Sequence, residues 1–456
     1  MRTLWIAGVL LLAAPAAATN DLFVVTTTYE VVGSTGRVGL DGGYPIVADE
    51  FQVHSDAVVR QQNGTVFVLN RLFADNVLVL DAGDEYGVVT QFGVSATGLN
   101  PRDLELVDDD RAYVTLYEGN ELLICNPFTG ATLGTVDLSA FAAADGVVEM
   151  DQMARVGDRV FVTLQNVDRR VTPWAVTGAS TIAVIDTDTD TLVDADPATP
   201  GVQGIELEVQ NPYWRFEYDP ARQRLFMVGA GSFQQGDGGL ERIHPFTLRS
   251  EGAVVTEDDL DGDLLDVALV DDSIGWALIN DAAFNTCLVR FDPATAQRID
   301  TVLCTNGFLL SDLEVSRDGR IFVGDRTASN PGIRVYDAST AQLLSGPLDV
   351  GLPPYDAVLI EGVPTHAPGA AAPARLRAWP NPFNPRVTIE LDGAVSDGTV
   401  EIVDARGRRV RTLDLRGGRA VWDGVDAEGR PAGSGTYRAR MPGRDDVEAV
   451  PLTLVR

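Results

Sequence analysis

Seven segments of the chain begin a short apolar strand in the same way. Six open it with a carboxylate, at Asp56, Asp103, Asp151, Asp266, Asp312 and Asp356, and the remaining one has Trp214 at the corresponding place. Oxygen donors brought together from several segments are the ligand set of a hard cation such as Ca²⁺, which takes roughly six to eight oxygens. The same residues also suit a structural task, because an aspartate beside a strand readily accepts backbone N–H bonds from a neighbouring loop. The structural clasp is the expected reading and a Ca²⁺ site its alternative. His54, two residues before Asp56, is placed to join either a metal set or a polar rim. Tyr213 and Trp214 offer flat faces on which a sugar or cofactor ring stacks, or else they pack into the core.

Two acidic runs resemble calcium loops, D-T-D-T-D at 186–190 and D-D-L-D-G-D-L-L-D at 258–266. Neither has the twelve-residue pattern with its closing glutamate, so solvated turns are expected. The chain has three histidines, and His244 and His366 lack a nearby acidic or cysteine partner in sequence, which argues against zinc. No G-x-S-x-G, P-loop or C-x-x-C motif occurs. Every basic side chain is arginine, so a lysine Schiff base is excluded.

The elements that must position these residues follow from repetition. An aliphatic strand ending in a polar residue and a turn recurs at Asp41, Asp81, Asn126, Asp186, His244, Asp292 and Asp337. Most of these intervals fall near the 40–50 residues of a four-stranded propeller blade. A second phrase of strand, polar turn and strand interleaves with the first, as in S-D-A-V-V-R-Q-Q-N-G-T-V-F-V-L and S-D-L-E-V-S-R-D-G-R-I-F-V. Its seventh copy is split between residues 355–362 and 21–28. That is the pattern ring closure requires, with the last blade completed by the beginning of the chain. Residues 19–362 are therefore expected to form a seven-bladed β-propeller, and the fold class to be all-β. These phrases resemble the propellers of the YncE and quinoprotein-dehydrogenase-like superfamily. The resemblance implies a fold but no single activity, because the superfamily holds enzymes and adaptors alike.

A Pro/Ala linker at 363–374 precedes a last segment, 375–456, which reads as a small immunoglobulin-like β-sandwich. Strands are expected at 387–391, 400–403, 410–413, 420–422, 436–440 and 450–454. The motifs P-N-P-F-N-P (380–385), V-D-A-R-G-R-R-V-R-T-L (403–413), W-D-G-V-D-A-E-G-R (422–430) and A-G-S-G-T-Y (432–437) resemble the FlgD Ig-like domain. They are also similar to the type A C-terminal sorting domain of type IX secretion. That resemblance implies secretion machinery as a partner and an extracellular or outer-surface location, with the periplasm as the alternative.

Composition sets the remaining bounds. Residues 1–18 have the positive end, apolar run and small-residue cleavage site of an export signal. No later apolar run is long enough to span a membrane. The net charge is −31, carried by residues 20–371, which hold 20 Arg against 54 Asp and Glu, whereas residues 372–456 hold 14 Arg against 12. Such an acidic body repels nucleic acid and anionic membranes. Cys287 and Cys304 flank an expected hairpin whose register places them opposite one another, so a disulfide and two buried thiols are both open. Cys125 reads as a small buried hydrophobe. Two function classes follow. The favoured one is a monomeric, exported, non-catalytic module that binds a protein or glycan. The alternative is a metal-dependent hydrolase or lyase, lactonase-like, that uses the carboxylate-lined channel.

Overall fold

The computed structural model describes residues 18–456 except 31, 95–97, 172–174, 177–178, 366–374, 393–397, 405, 417, 443, 445–446 and 448. The export-signal residues 1–17, most of the 363–374 linker and His366 lie outside the described residues.

Seven antiparallel sheets form a β-propeller. The first blade has strands Ala57–Gln62, Thr65–Asn70, Asn76–Asp81 and Gly87–Gly93, and the second Pro101–Asp108, Arg111–Leu116, Glu121–Cys125 and Thr132–Asp137. The innermost strands of the next four are Met150–Val156, Pro212–Asp219, Asp263–Leu269 and Leu310–Val315. The seventh blade pairs Pro354–Pro364 with Ala18–Thr27, which in turn pairs with Val32–Gly39. Its register runs from Ala18↔Pro364 to Thr26↔Pro354, so the beginning of the described chain closes the ring as the split repeat requires.

Alternation along each strand supplies the cores between blades. Where the seventh blade meets the first, Phe23, Val25, Val59, Val66 and Ile360 form one sealed cluster. Trp276 of the fifth blade is fully buried, and its indole N–H donates to the Ala338 carbonyl of the sixth at 2.9 Å. In the first six blades the polar residue that recurs at the end of the third strand holds the outer turn. Asn126 Oδ1 accepts from the N–H groups of Phe128 and Thr129, and Asp337 Oδ1 from those of Ser339 and Thr340. These are the side-chain-to-backbone turns that Asn and Asp favour. Cys287 and Cys304 are Cα partners in adjacent strands, 4.1 Å apart, and are joined by a disulfide. Burial pushes the free Cys125 thiol up to about 12, which makes it inert.

Residues 375–456 form two facing sheets. One is Arg375–Trp379, Val387–Asp392 and Arg419–Trp422, and the other is Arg409–Leu415, Gly398–Asp404, Gly435–Arg440 and Val450–Leu454. Trp422 is fully buried between them, with Phe383 at 5.4 Å and Tyr437 at 5.0 Å, centroid to centroid. The role of the P-N-P-F-N-P run is visible here. Asn381 is buried, donates Nδ2 to the Pro451 carbonyl at 2.9 Å and accepts the Thr453 N–H at 2.7 Å. The motif thus stitches the start of the domain to its last strand. Arg377 reaches Asp84 at 3.3 Å, resting the first strand of the sandwich against the outer edge of the first blade.

Candidate functional site

The innermost strands surround a channel that two arginines and an indole divide across its middle. Arg60, from the first blade, donates Nε to Asp103 of the second at 2.7 Å and Nη2 to Gln152 of the third at 2.5 Å. It also lies 3.5 Å from Asp356 of the seventh. Arg215, from the fourth blade, donates Nε to Asp266 of the fifth at 2.5 Å. Its Nη2 reaches the Leu313 carbonyl at 2.6 Å and Glu314 at 3.0 Å, both on the sixth. One guanidinium therefore ties together the inner strands of the seventh, first, second and third blades, and the other those of the fourth, fifth and sixth. The planar fork of five donors is what allows one side chain to hold several acceptors at once.

Trp214 completes the partition. Its backbone lies at φ +71°, a region that a bulky residue seldom occupies. The indole Nε1–H donates to Asp312 Oδ1 at 3.3 Å, and the ring meets Tyr355 edge-on at 5.4 Å. Where the other blades place a carboxylate, the fourth places a donor that reaches one across the channel.

On one side of the partition is a cavity of about 230 Å³ lined by Asp103, Glu105, Glu217, Asp312, Glu314 and Asp356, with Arg60 and Arg215 as the opposing charges. Burial pushes the Glu105 carboxyl up to about 8, and Asp103 adds to the shift. Burial also pushes Glu314 to about 8, with Glu217 adding to the shift and Arg215 opposing it. Asp312 is raised well above the usual carboxylate range by burial and then by Asp356, Glu314 and Asp266. Bound protons thus relieve the surplus negative charge of this chamber at neutral pH.

On the other side a cavity of about 890 Å³ presents Tyr117, Tyr213 and Tyr355 beside Phe233, together with the amides of Asn100, Gln165, Asn211 and Gln235. Each charged group in its wall has an opposite partner. Arg71 pairs with Asp56 at 2.5 Å, Arg102 with Asp151 at 3.0 Å, and Glu118 with Arg169 at 2.6 Å. The arginines also order the rings. The Arg102 guanidinium lies 4.9 Å from the Tyr117 centroid and 5.7 Å from that of Tyr213. Arg71 donates to the Tyr355 hydroxyl at 2.9 Å, and the Tyr117 hydroxyl donates to Gln165 at 2.7 Å. The Tyr213 hydroxyl makes no hydrogen bond to any described residue.

The six aspartates are therefore not gathered at one point. Asp56 lines the large mouth cavity, and Asp151 sits just behind its wall, held by Arg102 and Gln165. Asp103, Asp266, Asp312 and Asp356 surround the two central arginines. Two of them bridge to the backbone of another blade: Asp356 accepts the Val59 N–H at 2.7 Å, and Asp103 the Met153 N–H at 2.6 Å. Among the described residues, no three His, Cys, Asp or Glu side chains converge as a metal set. His54 is spent locally, its Nδ1 accepting the Asp56 N–H at 3.1 Å and its own N–H donating to Asn70 at 2.7 Å. Tyr213 lines the mouth, whereas Trp214 lines the smaller acidic cavity on the far side of the partition.

The acidic runs serve turns. Asp186 caps its own hairpin through the N–H groups of Asp188 and Thr189, and Asp190 pairs with Arg111 at 3.0 Å. Thr256 and Asp259 form a reciprocal cap on the short helix Glu257–Leu260.

The central arginines and the tyrosines Tyr117 and Tyr355 are absent from the residues the sequence singles out. A readable signal exists for Arg60, the one basic residue in the innermost strand Ala57–Gln62 that follows Asp56. Arg215 stands beside Trp214 in Y-W-R-F-E-Y, a basic residue on an innermost strand of an acidic body.

Comparison with known proteins supports this architecture. The FlgD Ig-like domain family matches residues 383–446. No curated protein matches the chain. Among solved structures, a protein from Lactobacillus plantarum is similar at 12% identity and a TM-score of 0.53, covering 75% of this chain and 100% of the other. A putative 6-phosphogluconolactonase from Bacteroides fragilis is similar at 13% identity and a TM-score of 0.50, covering 76% and 99%. The dihydro-heme d1 dehydrogenase NirN aligns at 16% identity and a TM-score of 0.47, covering 76% of each chain. At these identities the likeness concerns the fold alone. The chain is thus a β-propeller followed by a C-terminal FlgD Ig-like domain.

Proposed function

We propose that this protein is an exported propeller that binds a neutral, ring-bearing ligand, a saccharide, at its mouth and does not transform it. The observation that carries the reading is the tyrosine-faced cavity of about 890 Å³ whose wall charges are already paired with one another. Such a wall offers ring faces for stacking and paired charges and amides for hydroxyl groups. Its described residues offer no net charge to recognise an ion and no unpaired carboxylate to act as a general base. The metal-dependent hydrolase or lyase reading has no comparable support, because the channel carboxylates are engaged by Arg60, Arg215 and Trp214.

The finer assignments belong to the same proposal: a signal at 1–18, a YncE-like propeller at 19–362, a linker at 363–374 and a tail at 375–456. The tail acts in type IX secretion as a type A sorting domain, or attaches the protein to the outer surface. The ordered set of four tail motifs, with Asn381 tying the first to the last strand, supports this role.

One experiment covers both parts. The full-length protein, a chain ending at residue 365 and the Tyr213→Ala variant are compared by calorimetric titration with neutral oligosaccharides and by localisation in the producing cell. The expected result is equal binding by the first two, a loss of about tenfold or more in Tyr213→Ala, and no surface display of the truncated chain. Saccharide binding indifferent to Tyr213→Ala, or cleavage of the ligand, overturns the mouth assignment. Normal display of the truncated chain overturns only the sorting role.

A further inference from the structure

Three phenylalanines from three separate loops meet on the surface beside the mouth. Phe233, Phe284 and Phe308 are 45%, 54% and 54% exposed. Phe233 stacks on Phe284 at 5.3 Å, and Phe308 meets both edge-on at 6.4 and 6.2 Å. Scattered surface hydrophobes are ordinary, but three large rings gathered from residues 230–238, 281–285 and 305–309 make a contiguous apolar platform. The loops are tied together beneath it, with Gln234 Nε2 donating to the Ala282 carbonyl at 3.4 Å.

The surroundings of the platform are mostly acidic, with Arg298 at their edge, where it donates to the Leu260 carbonyl at 2.9 Å and lies 4.0 Å from Asp261. Together with the adjoining segment 257–263, these loops hold Asp237, Glu257, Asp258, Asp259, Asp261, Asp263 and Asp281 and contain no Lys, Arg or His. Asp258 belongs to the platform's edge, since a Cβ placed on Gly236 would lie 2.9 Å from its Oδ1. Beneath the platform, Asp263 uses Oδ1 to hold the Gln234 N–H at 2.8 Å, while its buried Oδ2 has no hydrogen-bond partner among the described residues.

We infer that this platform docks a protein segment in which an aromatic or aliphatic side chain is flanked by Lys or Arg. Three rings with exposed faces take up an apolar side chain. The exposed rim carboxylates Asp258, Asp259 and Asp261 outnumber the neighbouring Arg298, so the rim attracts cations and repels both anionic lipid surfaces and acidic proteins. A saccharide would find no hydrogen-bonding side chain on the rings themselves. The inference does not rest on the mouth reading, although Phe233 borders both sites.

The test uses the full-length protein and fluorescence anisotropy with a short synthetic peptide built from Lys and Phe. Two counterparts serve as comparisons, one with Glu in place of Lys and one with Ser in place of Phe. The Lys/Phe peptide is expected to bind at least about tenfold more tightly than either counterpart. Phe233→Ser, Phe284→Ser and Phe308→Ser together remove that preference, as do Asp258→Asn, Asp259→Asn and Asp261→Asn together. Tyr213→Ala leaves it intact. Unchanged melting temperatures confirm that each variant folds, and the single Phe308→Ser change replaces any combination that does not. Equal binding of the Glu/Phe peptide, or binding indifferent to both sets of changes, overturns the inference. So does concentration-dependent self-association, seen by light scattering, that the Phe→Ser variant loses, because the platform would then join copies of this chain.

Discussion

Removal of residues 18–27 abolishes the cooperative unfolding of the propeller or lowers its midpoint by more than about 20 °C. This strand lies between two others, Pro354–Pro364 on one side and Val32–Gly39 on the other, so its loss leaves two unpaired edges. Leu22, Phe23, Val24 and Val25 are each 0–1% exposed and pack on both faces of the seventh blade. Burying four such side chains is worth on the order of 8 kcal/mol. That is comparable to the whole stability of a typical domain, about 5–15 kcal/mol. Circular dichroism during heating reads the result directly. A deletion variant that melts with the wild type shows that this strand does not close the ring.

Arg215→Met costs about 3–5 kcal/mol at pH 9, the penalty for leaving buried carboxylates without their counter-ion. Asp266 and Glu314 are the groups abandoned, and both already sit above their ordinary range because of burial. Lowering the pH to 5 favours their protonated forms and returns part of the loss. Arg215→Lys restores only part of the loss, because the compact ammonium lacks the planar fork that reaches Asp266, the Leu313 carbonyl and Glu314 at once. Urea unfolding at the two pH values measures both effects. Equal stability of Arg215→Met and wild type at pH 9 shows that the guanidinium contributes nothing to holding the fourth, fifth and sixth blades.

What the sequence discloses and what it conceals divide along contact range. Blade repeats and outer turns are local, so the alternation, the Asx turns at Asn126 and Asp337 and the split last blade can all be read in order. The same holds for the tail, where six expected strands are present, and the alternating R-L-R-A-W adds a seventh at Arg375–Trp379. The facing of Cys287 and Cys304 follows from a single short hairpin. The partition of the channel is different in kind. Arg60 and Asp103 are 43 residues apart, and Arg215 and Glu314 are 99 apart, so their pairing depends on how the blades sit around the channel rather than on any local pattern. Six aspartates at strand starts are visible as types, but which way each side chain turns is decided by arginines on other blades. The left-handed backbone of Trp214 is likewise invisible, since nothing about tryptophan favours it.

The channel aspartates are held by arginine and by protons, and the proposed reading of the mouth as a binding site rests on that arrangement. The most direct measurement is the melting temperature of the full-length protein from pH 5 to 9, in chelator and in calcium chloride. Between their ordinary value of 4.5 and about 8, Glu105 and Glu314 bind protons in the folded state that the unfolded chain has released. Their stabilising contribution is therefore complete below about pH 4.5 and is lost as the pH rises through about 8. The account predicts a melting temperature that falls toward pH 9 along the same curve in chelator and in calcium. A rise in calcium that is absent from the Asp103→Asn, Asp312→Asn double variant would contradict it and assign the channel to a metal.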